Sequence, residues 1–401
     1  MATSGKVLIL VENLSVPFDR RVWLEATTLR DAGYKVSVIS PKGYHADLES
    51  FVEIEGIAVY RYALKEAQPG VAGYVREYSV AMLMTLLLVF RVWRTRGFDV
   101  IHACNPPDLF FFIGLVWKIF GKRFIFDQHD ICPEMFAVKF GSRFRFLHKL
   151  LQLLEQGTYR TADVVIATNE SVKELAMMRG GVPEQRVVVV RTGPDFDRLR
   201  IVPADSSLKH GKRWLVAYLG SMGPHDSVDL ALKAAHEIVH VRGRADVYFA
   251  FIGRGDQTPR LIKFAHELGL ADHVTFTGRI PDEALVQYLS TADVCISPDG
   301  ANGYNEYCTM NKTMEYMAMA KPVVAFDLLE TRYSAQGAAL YAPPNDVRAF
   351  AERIVQLLDD DALRMKLGQL GRMRVEQELS WEHSRGALLD AYARALRPRL
   401  A

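Results

Sequence analysis

The stretch Asn311-Lys-Thr-Met-Glu-Tyr-Met-Ala318, followed by Lys321-Pro-Val-Val-Ala-Phe-Asp327, decides the fold prediction. It predicts a loop, a helix, a tight turn and a buried strand in that order. The start of a helix offers unpaired N–H groups and a partial positive charge, so an anion can bind there. Glu315 lies one turn inside the predicted helix, where its carboxylate can accept hydrogen bonds from vicinal hydroxyls.

A diphosphate joined to a ribose would use both features of this segment. The phosphates would lie against the helix start, and the ribose hydroxyls would face Glu315. The residues therefore suggest a nucleotide-sugar site.

Length and composition limit the alternatives. The chain has 401 residues, which predicts two or three domains. Its net charge of +2 is too small to indicate a nucleic-acid partner. The four cysteines, Cys104, Cys132, Cys295 and Cys308, show no metal-ligand spacing. We predict that they are reduced and buried in a cytoplasmic protein, and that no signal peptide precedes the first strand.

Strand and helix signals alternate along the whole chain, which predicts parallel sheets covered on both faces. The alternation breaks near residue 195 and then restarts. We predict two doubly wound, Rossmann-like α/β domains that face a cleft. The predicted strands cover residues 7–11, 35–39, 58–62, 100–102, 123–127, 163–168, 187–190, 214–219, 246–252, 274–276, 294–297, 323–326 and 338–341.

Three apolar or basic segments lie in the first half of the chain. No stretch predicts a membrane span, and we interpret residues 79–90 as a buried helix. Residues 109–116 form a second apolar run. Residues 139–149 interleave lysine and arginine with phenylalanine and leucine, which is typical either of a segment that docks on an anionic membrane or of a solvated helix face. Their proximity along the chain raises the hypothesis of peripheral contact with the inner face of the cell membrane.

Five motifs in the second half resemble, in order, glycosyltransferase family 4, which comprises retaining, nucleotide-sugar-dependent enzymes of the GT-B fold. The first half matches more loosely, and the chain is most similar to the bacterial surface-polysaccharide branch. The five motifs are Tyr218-Leu-Gly-Ser-Met-Gly223, Phe251-Ile-Gly-Arg-Gly255, Val274-Thr-Phe-Thr-Gly-Arg-Ile280, Tyr288-Leu-Ser-Thr-Ala-Asp293 and Glu315-Tyr-Met-Ala-Met-Ala-Lys-Pro-Val-Val324.

The resemblance implies a division of labour. Residues 1–195 would form an acceptor-binding domain and residues 196–382 a nucleotide-sugar-binding domain. Residues 383–401 would form a helix that packs back on the first domain.

The resemblance also implies roles for donor-site residues. Glu315 aligns with the second glutamate of the family's E-x7-E motif and would hold the ribose. Tyr307 occupies the position of the first glutamate, and Glu306 is one residue out of register. Either Glu306 reaches the sugar through a one-residue shift, or the sugar is held differently. Asn311 and Thr313 belong to the same donor-binding helix.

Cations that relatives use at the diphosphate are replaced here. Ser221 and Asp226 stand where an arginine and a lysine are expected, after Gly220. A leaving diphosphate needs positive charge or oriented dipoles in the transition state. The candidates to supply that charge are Lys312, which we assign as catalytic, Arg254 in the donor site, and Arg20 or Arg21; each could instead be a surface cation.

Two further groups complete the predicted site. Arg279 and Ile280 resemble the family's nucleobase-recognition turn. His129 and Asp130 follow a predicted strand of the first domain and are assigned as catalytic, since imidazole and carboxylate can bond sugar hydroxyls or accept a proton. His129 could instead be a core histidine bonded to Asp127 or Asp130.

No metal site is predicted. Residues 359–361, three consecutive aspartates, are interpreted as a helix cap.

Together these observations predict a cytoplasmic, metal-independent, retaining glycosyltransferase of the hexosyltransferase class without a cofactor. It would move a sugar from a nucleoside diphosphate donor, with UDP favoured, to a polysaccharide or lipid-linked acceptor. Two alternatives stay open: a nucleotide-sugar epimerase on the same scaffold, and a catalytically silent GT-B partner protein.

Overall fold

The structure, a computed structural model, describes residues 5–43, 46–65 and 70–397, apart from the side chains of residues 142 and 143. The chain divides into two compact units. Unit 1 comprises Met1–Arg191 with Ser384–Ala401, and unit 2 comprises Thr192–His383.

Unit 1 is built on an eight-stranded sheet with the order β3-β4-β2-β1-β5-β6-β7-β8. Neighbouring strands are parallel except for β3 and β4, which form an antiparallel pair at one edge. The strands are β1 Lys6–Leu10, β2 Lys35–Pro41, β3 Phe51–Ile54, β4 Ile57–Tyr62, β5 Val100–Cys104, β6 Arg123–Gln128, β7 Val164–Ala167 and β8 Val187–Val189.

Six helices of unit 1 connect these strands. Strands β4 and β5 are buried along their whole length, as expected for strands covered on both faces. The helices are α1 Arg20–Asp31, α2 Val71–Thr95, α3 Phe111–Ile119, α4 Cys132–Phe140, α5 Arg145–Thr161 and α6 Glu170–Gly180.

Unit 2 contains a six-stranded parallel sheet with the order β11-β10-β9-β12-β13-β14. Alternate residues of one strand enter two separate cores: Val216 packs in one and Ala217 in the other. The sheet is therefore covered on both faces. The strands are β9 Trp214–Leu219, β10 Val247–Ile252, β11 Val274–Gly278, β12 Val294–Ser297, β13 Val323–Phe326 and β14 Ala339–Ala342.

The remaining eight helices begin in unit 2. Asp360 caps α13 by accepting a hydrogen bond from the N–H of Leu363, so the interpretation of the aspartate run as a helix cap is confirmed. The last helix starts in unit 2, and its residues from Ser384 onward belong to unit 1. The helices are α7 Val228–His236, α8 Thr258–Glu267, α9 Asp282–Thr291, α10 Asn311–Ala318, α11 Leu329–Ala335, α12 Val347–Asp359, α13 Asp361–Arg374 and α14 Trp381–Leu396.

Three sequence-based expectations need correction. Strand β3 was not predicted, because its four residues alternate between exposed and half-buried positions at a sheet edge. The segment at 79–90 is not a buried helix: α2 buries only a narrow stripe and leaves large apolar side chains exposed, including Leu83 and Leu87. Cys104, Cys132 and Cys295 are buried free thiols, but Cys308 is only partly buried.

Gly114 offers a test of packing in unit 1. A Cβ atom added at this position of α3 would lie 2.5 Å from the ring of Phe124, which is fully buried and has little room to move. We expect Gly114→Ala to lower the free energy of unfolding by about 1–3 kcal/mol, the usual cost of overpacking a core.

Gly386→Ala is the matched control for this urea-denaturation experiment. Gly386 also lies in a helix, but an added Cβ meets nothing within 4 Å. Gly386→Ala should raise the free energy of unfolding by about 0.5–1 kcal/mol, because alanine is the better helix former. Equal midpoints for the two variants would contradict the tight contact between α3 and β6.

Candidate functional site

The reversal of strand order in unit 2 occurs at β9, which lies between β10 and β12. Open α/β sheets bind ligands outside the carboxyl ends of their strands at such a point. Tyr218 and Gly220 come from the end of β9, Asp299 follows β12, and Lys312 lies in the first turn of α10. The structure therefore gathers Gly220 and Lys312, both predicted donor-side residues, at one sheet edge.

Tyr316 fixes α10 over this edge. Its buried hydroxyl accepts a hydrogen bond of 2.6 Å from the N–H of Leu219 and donates one of 3.2 Å to the carbonyl of Ile296. One side chain thus joins α10 to the ends of both β9 and β12. The sequence analysis did not single it out, although a buried tyrosine generally needs a polar partner for its hydroxyl.

No side chain caps the start of α10 in the described part of the chain, and Met310 occupies the cap position. Uncapped N–H groups keep the capacity to bind an anion that the sequence predicted. Asn311 is exposed there, whereas Thr313 is buried and its hydroxyl has no hydrogen-bond partner among the described residues.

Lys312 carries a buried charge that is already paired. Its Nζ lies 2.5 Å from a carboxylate oxygen of Asp299 and 3.9 Å from one of Asp226. Burial opposes the charged ammonium, but the two carboxylates outweigh it and raise the pKa of Lys312. Burial raises the pKa of Asp226, and Lys312 partly offsets that effect. The aspartate found where relatives carry a cation is therefore part of the environment of the lysine.

Glycines bring the loops after β9 and β10 into backbone contact. Gly253 has a φ of +128°, and a Cβ there would lie 2.0 Å from the carbonyl oxygen of Gly220. At Gly220 itself a Cβ would lie 3.0 Å from Cε of Lys312. Ser221 and Arg254, both predicted donor-site residues, are exposed beside these glycines.

Arg279 and Ile280 directly follow β11, at the same edge of the sheet as the other loops. Arg279 is exposed, and Ile280 is half-buried against one of the two cores. The pair therefore lies at a strand end, where a nucleobase turn was expected.

Glu315 pairs with a residue that the sequence analysis missed. Its carboxylate lies 2.6 Å from the guanidinium of Arg198, which also contacts Asp282 at 3.1 Å. Arg198 belongs to the polar stretch after the junction near residue 195, where no motif marks it. A ribose bound at Glu315 would meet a carboxylate whose position is set by this arginine.

The two alternatives for the first motif glutamate differ in their surroundings. The Glu306 carboxylate accepts a hydrogen bond of 3.3 Å from the N–H of Leu329, at the start of α11. Tyr307 lies in the same short helical turn and is half-buried. Glu306 is thus directed towards α11 in this structure.

In unit 1, buried charges meet around Asp127 at the end of β6. Its carboxylate accepts hydrogen bonds of 2.7 and 3.1 Å from Arg21, and it lies 2.5 Å from Nε2 of His129. Burial opposes ionisation, but Arg21 and His129 hold the pKa of Asp127 well below its usual range. Arg21 is 6% exposed and also contacts Glu25 at 3.2 Å, so the expectation that Arg21 serves a diphosphate is not supported.

His129 and Asp130 are positioned by Asn105, a residue that the sequence analysis did not name. The Asn105 side-chain oxygen accepts hydrogen bonds from both backbone N–H groups, at 2.7 and 3.1 Å. His129 bonds Asp127 through Nε2, and Nδ1 has no hydrogen-bond partner among the described residues. The His129 side chain is 17% exposed.

Four potential metal ligands lie close together in the same cluster. Atoms of Glu25, His102, Cys104 and Asp127 all lie within 4.8 Å of one another, and all four residues are buried. Arg21 contacts both carboxylates and thereby supplies a positive charge within the cluster.

Glu12 follows β1, the strand at which the order of the unit 1 sheet reverses. It is 5% exposed, and its Oε1 has no hydrogen-bond partner among the described residues. Burial, aided by the charge of Glu77, raises its pKa to about 8. A glutamate whose pKa is close to neutral pH therefore lies at this edge of the sheet.

Removal of the Lys312 charge should lower the free energy of unfolding, because two buried carboxylates would lose their cation. Lys312→Met leaves Asp299 and Asp226 unpaired, and breaking such a pair costs about 3–5 kcal/mol of unfolding free energy. The double variant Lys312→Met with Asp299→Asn should regain most of the lost unfolding free energy, as measured by urea denaturation. Lys263→Met, which removes an exposed lysine paired with Glu267, should change stability by less than about 0.5 kcal/mol. A fully stable Lys312→Met variant would show that the buried pair does not form.

Glu12 should make stability depend on pH. Its pKa is raised from 4.5 to about 8 on folding, so the unfolded chain ionises first as pH rises. The contribution of Glu12 to the free energy of unfolding is therefore greatest below about pH 4.5, and it decreases until the pH passes about 8. Glu12→Gln should therefore gain in Tm relative to the wild type between pH 5 and 8.5, whereas Glu174→Gln, at an exposed glutamate, should show no such trend. A constant difference between Glu12→Gln and the wild type across this range would refute the raised pKa.

Two family models match the chain. Residues 19–193 match the Glycosyl transferase 4-like domain, and residues 213–360 match Glycosyl transferases group 1. The first match falls on unit 1 apart from its last two residues, and the second lies within unit 2.

Curated proteins that are similar in sequence include glycosyltransferases. A D-inositol 3-phosphate glycosyltransferase from Nocardia farcinica is 28% identical over 251 residues, which are 59% of this chain and 53% of the relative. The O-antigen chain mannosyltransferase B of Escherichia coli is 23% identical over 68% of this chain and 70% of the relative. The chain thus matches about half of the first relative's length and more of the second.

Solved structures show the fold. Sucrose-phosphate synthase from Thermosynechococcus elongatus has a TM-score of 0.77 at 19% identity, covering 97% of this chain and 98% of the other. Anabaena Alr3699/HepE in complex with UDP-glucose has a TM-score of 0.74 at 16% identity, covering 97% and 99%. The predicted GT-B fold with two doubly wound parallel sheets is confirmed. With glycosyltransferase domain models matching both units on this fold, the chain belongs to the GT-B glycosyltransferases.

Proposed function

We propose that this chain is a retaining, metal-independent glycosyltransferase of family 4. It would transfer a hexose from a nucleoside diphosphate donor to a polysaccharide or lipid-linked acceptor at the cytoplasmic face of the cell membrane. The observation that carries the proposal is the edge of unit 2 at which α10 begins. Its uncapped start, Lys312 and Glu315 offer a diphosphate and a ribose their usual partners.

UDP is the favoured nucleotide. The structurally similar Alr3699/HepE has been solved in complex with UDP-glucose, and the relative from Escherichia coli is an O-antigen chain mannosyltransferase. Both points support a nucleotide-sugar donor and a glycan acceptor for this chain. We assign the donor to residues 196–382 and the acceptor to residues 1–195, with residues 383–401 completing the acceptor domain.

The donor residues would act through charge and hydrogen bonding. As the bond to the sugar breaks, negative charge grows on the diphosphate, and α10 N–H groups and Lys312 would stabilise it. Lys312 would have to share its ammonium with Asp299 and Asp226. Exposed Arg254 could add charge at the loop after β10, and Arg279 and Ile280 would flank the nucleobase.

His129 and Asp130 would act on the acceptor side of the reaction. Asp127 orients the imidazole through Nε2, which leaves Nδ1 for a sugar hydroxyl. In a retaining reaction on this fold the leaving phosphate can itself take the acceptor proton. His129 would then bind and orient, and Asp130 would add a hydrogen-bond acceptor.

A catalytically silent GT-B partner protein is the second candidate. Lys312 is already paired with two buried carboxylates, and Glu306 is directed towards α11. Both features would weaken charge stabilisation and sugar binding. A nucleotide-sugar epimerase is a third reading, which product analysis would distinguish.

Turnover experiments separate these functions. A thermal-shift panel with UDP, GDP and ADP would identify the nucleotide, and each UDP-sugar would then be incubated with glycan and lipid-linked acceptors. Acceptor-dependent release of UDP with a retained anomeric configuration in the product NMR spectrum supports transfer. Nucleotide binding without turnover indicates the silent protein, and a donor inverted at one sugar centre without a new glycosidic bond indicates the epimerase. Unchanged rates after chelation by EDTA would support metal independence.

Glu315→Ala tests the ribose role. A hydrogen bond to a charged group contributes about 1.5–3 kcal/mol, so calorimetric titration should show UDP binding weakened by about tenfold or more. Affinity for inorganic pyrophosphate should stay the same, because pyrophosphate has no ribose. Glu283→Ala, at an exposed glutamate of α9, is the control and should bind UDP normally. Equal losses for UDP and pyrophosphate would mean that Glu315 acts only by holding Arg198.

A further inference from the structure

Three helices of unit 1 expose large apolar side chains to solvent. Leu83 and Leu87 lie one turn apart on α2 and are 58% and 57% exposed. Ile119 on α3 is 83% exposed, and Phe146 on α5 is 78% exposed. Several large apolar side chains exposed on neighbouring helices favour an interaction site over scattered single exposures. We define the apolar face by Leu83, Leu87, Phe90, Phe112, Ile119 and Phe146.

Aromatic contacts make these helices neighbours. The Trp93 ring of α2 lies 4.7 Å from that of Trp117 in α3 and 5.8 Å from that of Phe120. Helix α3 meets α5 where Phe111 packs on Gly157, with its ring 2.9 Å from the Cβ that a larger residue would carry there. At its other end α2 meets α4 through Tyr74 and Phe140, and Phe140 contacts Phe144 just before α5. The helices that carry the apolar face are therefore packed side by side.

The helical stretches that carry this face contain only basic charges. Residues 78–98, 109–126 and 135–154 contain lysines and arginines but no aspartate or glutamate. Lys118 and Lys122 are offset by Asp163 and Asp99. Arg91 and Arg94 near the end of α2, and Arg145 and Lys149 at the start of α5, are exposed. The chain as a whole is nearly balanced, with 49 basic and 47 acidic residues, so the bias is local.

We propose that the apolar face docks on the surface of an anionic lipid bilayer. Exposed leucine, isoleucine and phenylalanine would enter the headgroup boundary, while arginine and lysine would bind lipid phosphates. No described helix is long and apolar enough to cross a bilayer, so α2, α3 and α5 would lie on the membrane. A second copy of the chain fits less well, because it would bring cations against cations.

Vesicle co-sedimentation tests this surface, and with it the membrane location included in the proposed function, without any assay of sugar transfer. A failure here would therefore leave the proposed transfer reaction untouched. The protein should bind vesicles of phosphatidylcholine with phosphatidylglycerol and bind poorly to phosphatidylcholine alone. Added salt should weaken binding, because surface charges are screened. Brominated lipids should quench Trp93, and Trp93→Phe should remove that part of the quenching. Salt-independent binding that is equal for both vesicle types, or no binding to either, would overturn the proposal.

Paired variants assign the binding to these helices. Arg145→Gln with Lys149→Gln should weaken binding to anionic vesicles by about fivefold for each cation removed. Leu83→Glu with Leu87→Glu should abolish binding, whereas Met365→Glu, at an exposed residue of unit 2, should leave it unchanged. Circular dichroism would verify that each variant folds. Self-association of the wild type that Leu83→Glu with Leu87→Glu removes, without vesicle binding, would identify a second copy as the occupant and refute the membrane surface.

Discussion

The hydroxyl of Tyr316 fixes the arrangement of the candidate site in unit 2. It forms hydrogen bonds with main-chain groups at the ends of β9 and β12, the two strands between which the strand order of the sheet reverses. Because Tyr316 is in α10, the same bonds set where that helix begins and where Lys312 and Glu315 project. A parallel sheet supplies the edge, but this side chain fixes the helix against it. Tyr316 is adjacent in sequence to Glu315, so positioning and proposed binding belong to one helical turn.

Both units place a buried cation among carboxylates near a sheet edge. In unit 1 the cation is Arg21 beside Asp127 and Glu25, and in unit 2 it is Lys312 beside Asp299 and Asp226. Charges taken out of water must be paired to be tolerated, and such pairs hold side chains in fixed positions. The cations are therefore oriented before any ligand arrives. The same pairing limits how much positive charge Lys312 can direct at a phosphate.

Most of the fold could be predicted from sequence, because apolar runs of strand length alternate with helical patterns. Strand β3 could not, since a four-residue edge strand has too few buried positions to produce a pattern. In the candidate site, Gly220, Lys312 and Glu315 were predicted from their places in motifs that resemble glycosyltransferase family 4. Arg198 and Asn105 were not, because they reach their partners across 117 and 24 or 25 residues of chain, and nothing local marks such contacts. The exposure of α2 was misjudged because apolar content alone cannot tell a core from an uncovered surface.

Helix α14 affects the order in which the two units can fold during synthesis. His102 in β5 shares a hydrogen bond of 2.8 Å with the hydroxyl of Tyr392, and unit 1 includes the residues from Ser384 onward. A ribosome makes the β5 strand long before it makes this helix, and domains tend to fold as they emerge. Unit 2 is synthesised in full between the two parts of unit 1. Unit 1 is thus the first unit to be made in part, but its polar core lacks a member until α14 has been synthesised, and until then the side of His102 that faces Tyr392 has no such partner.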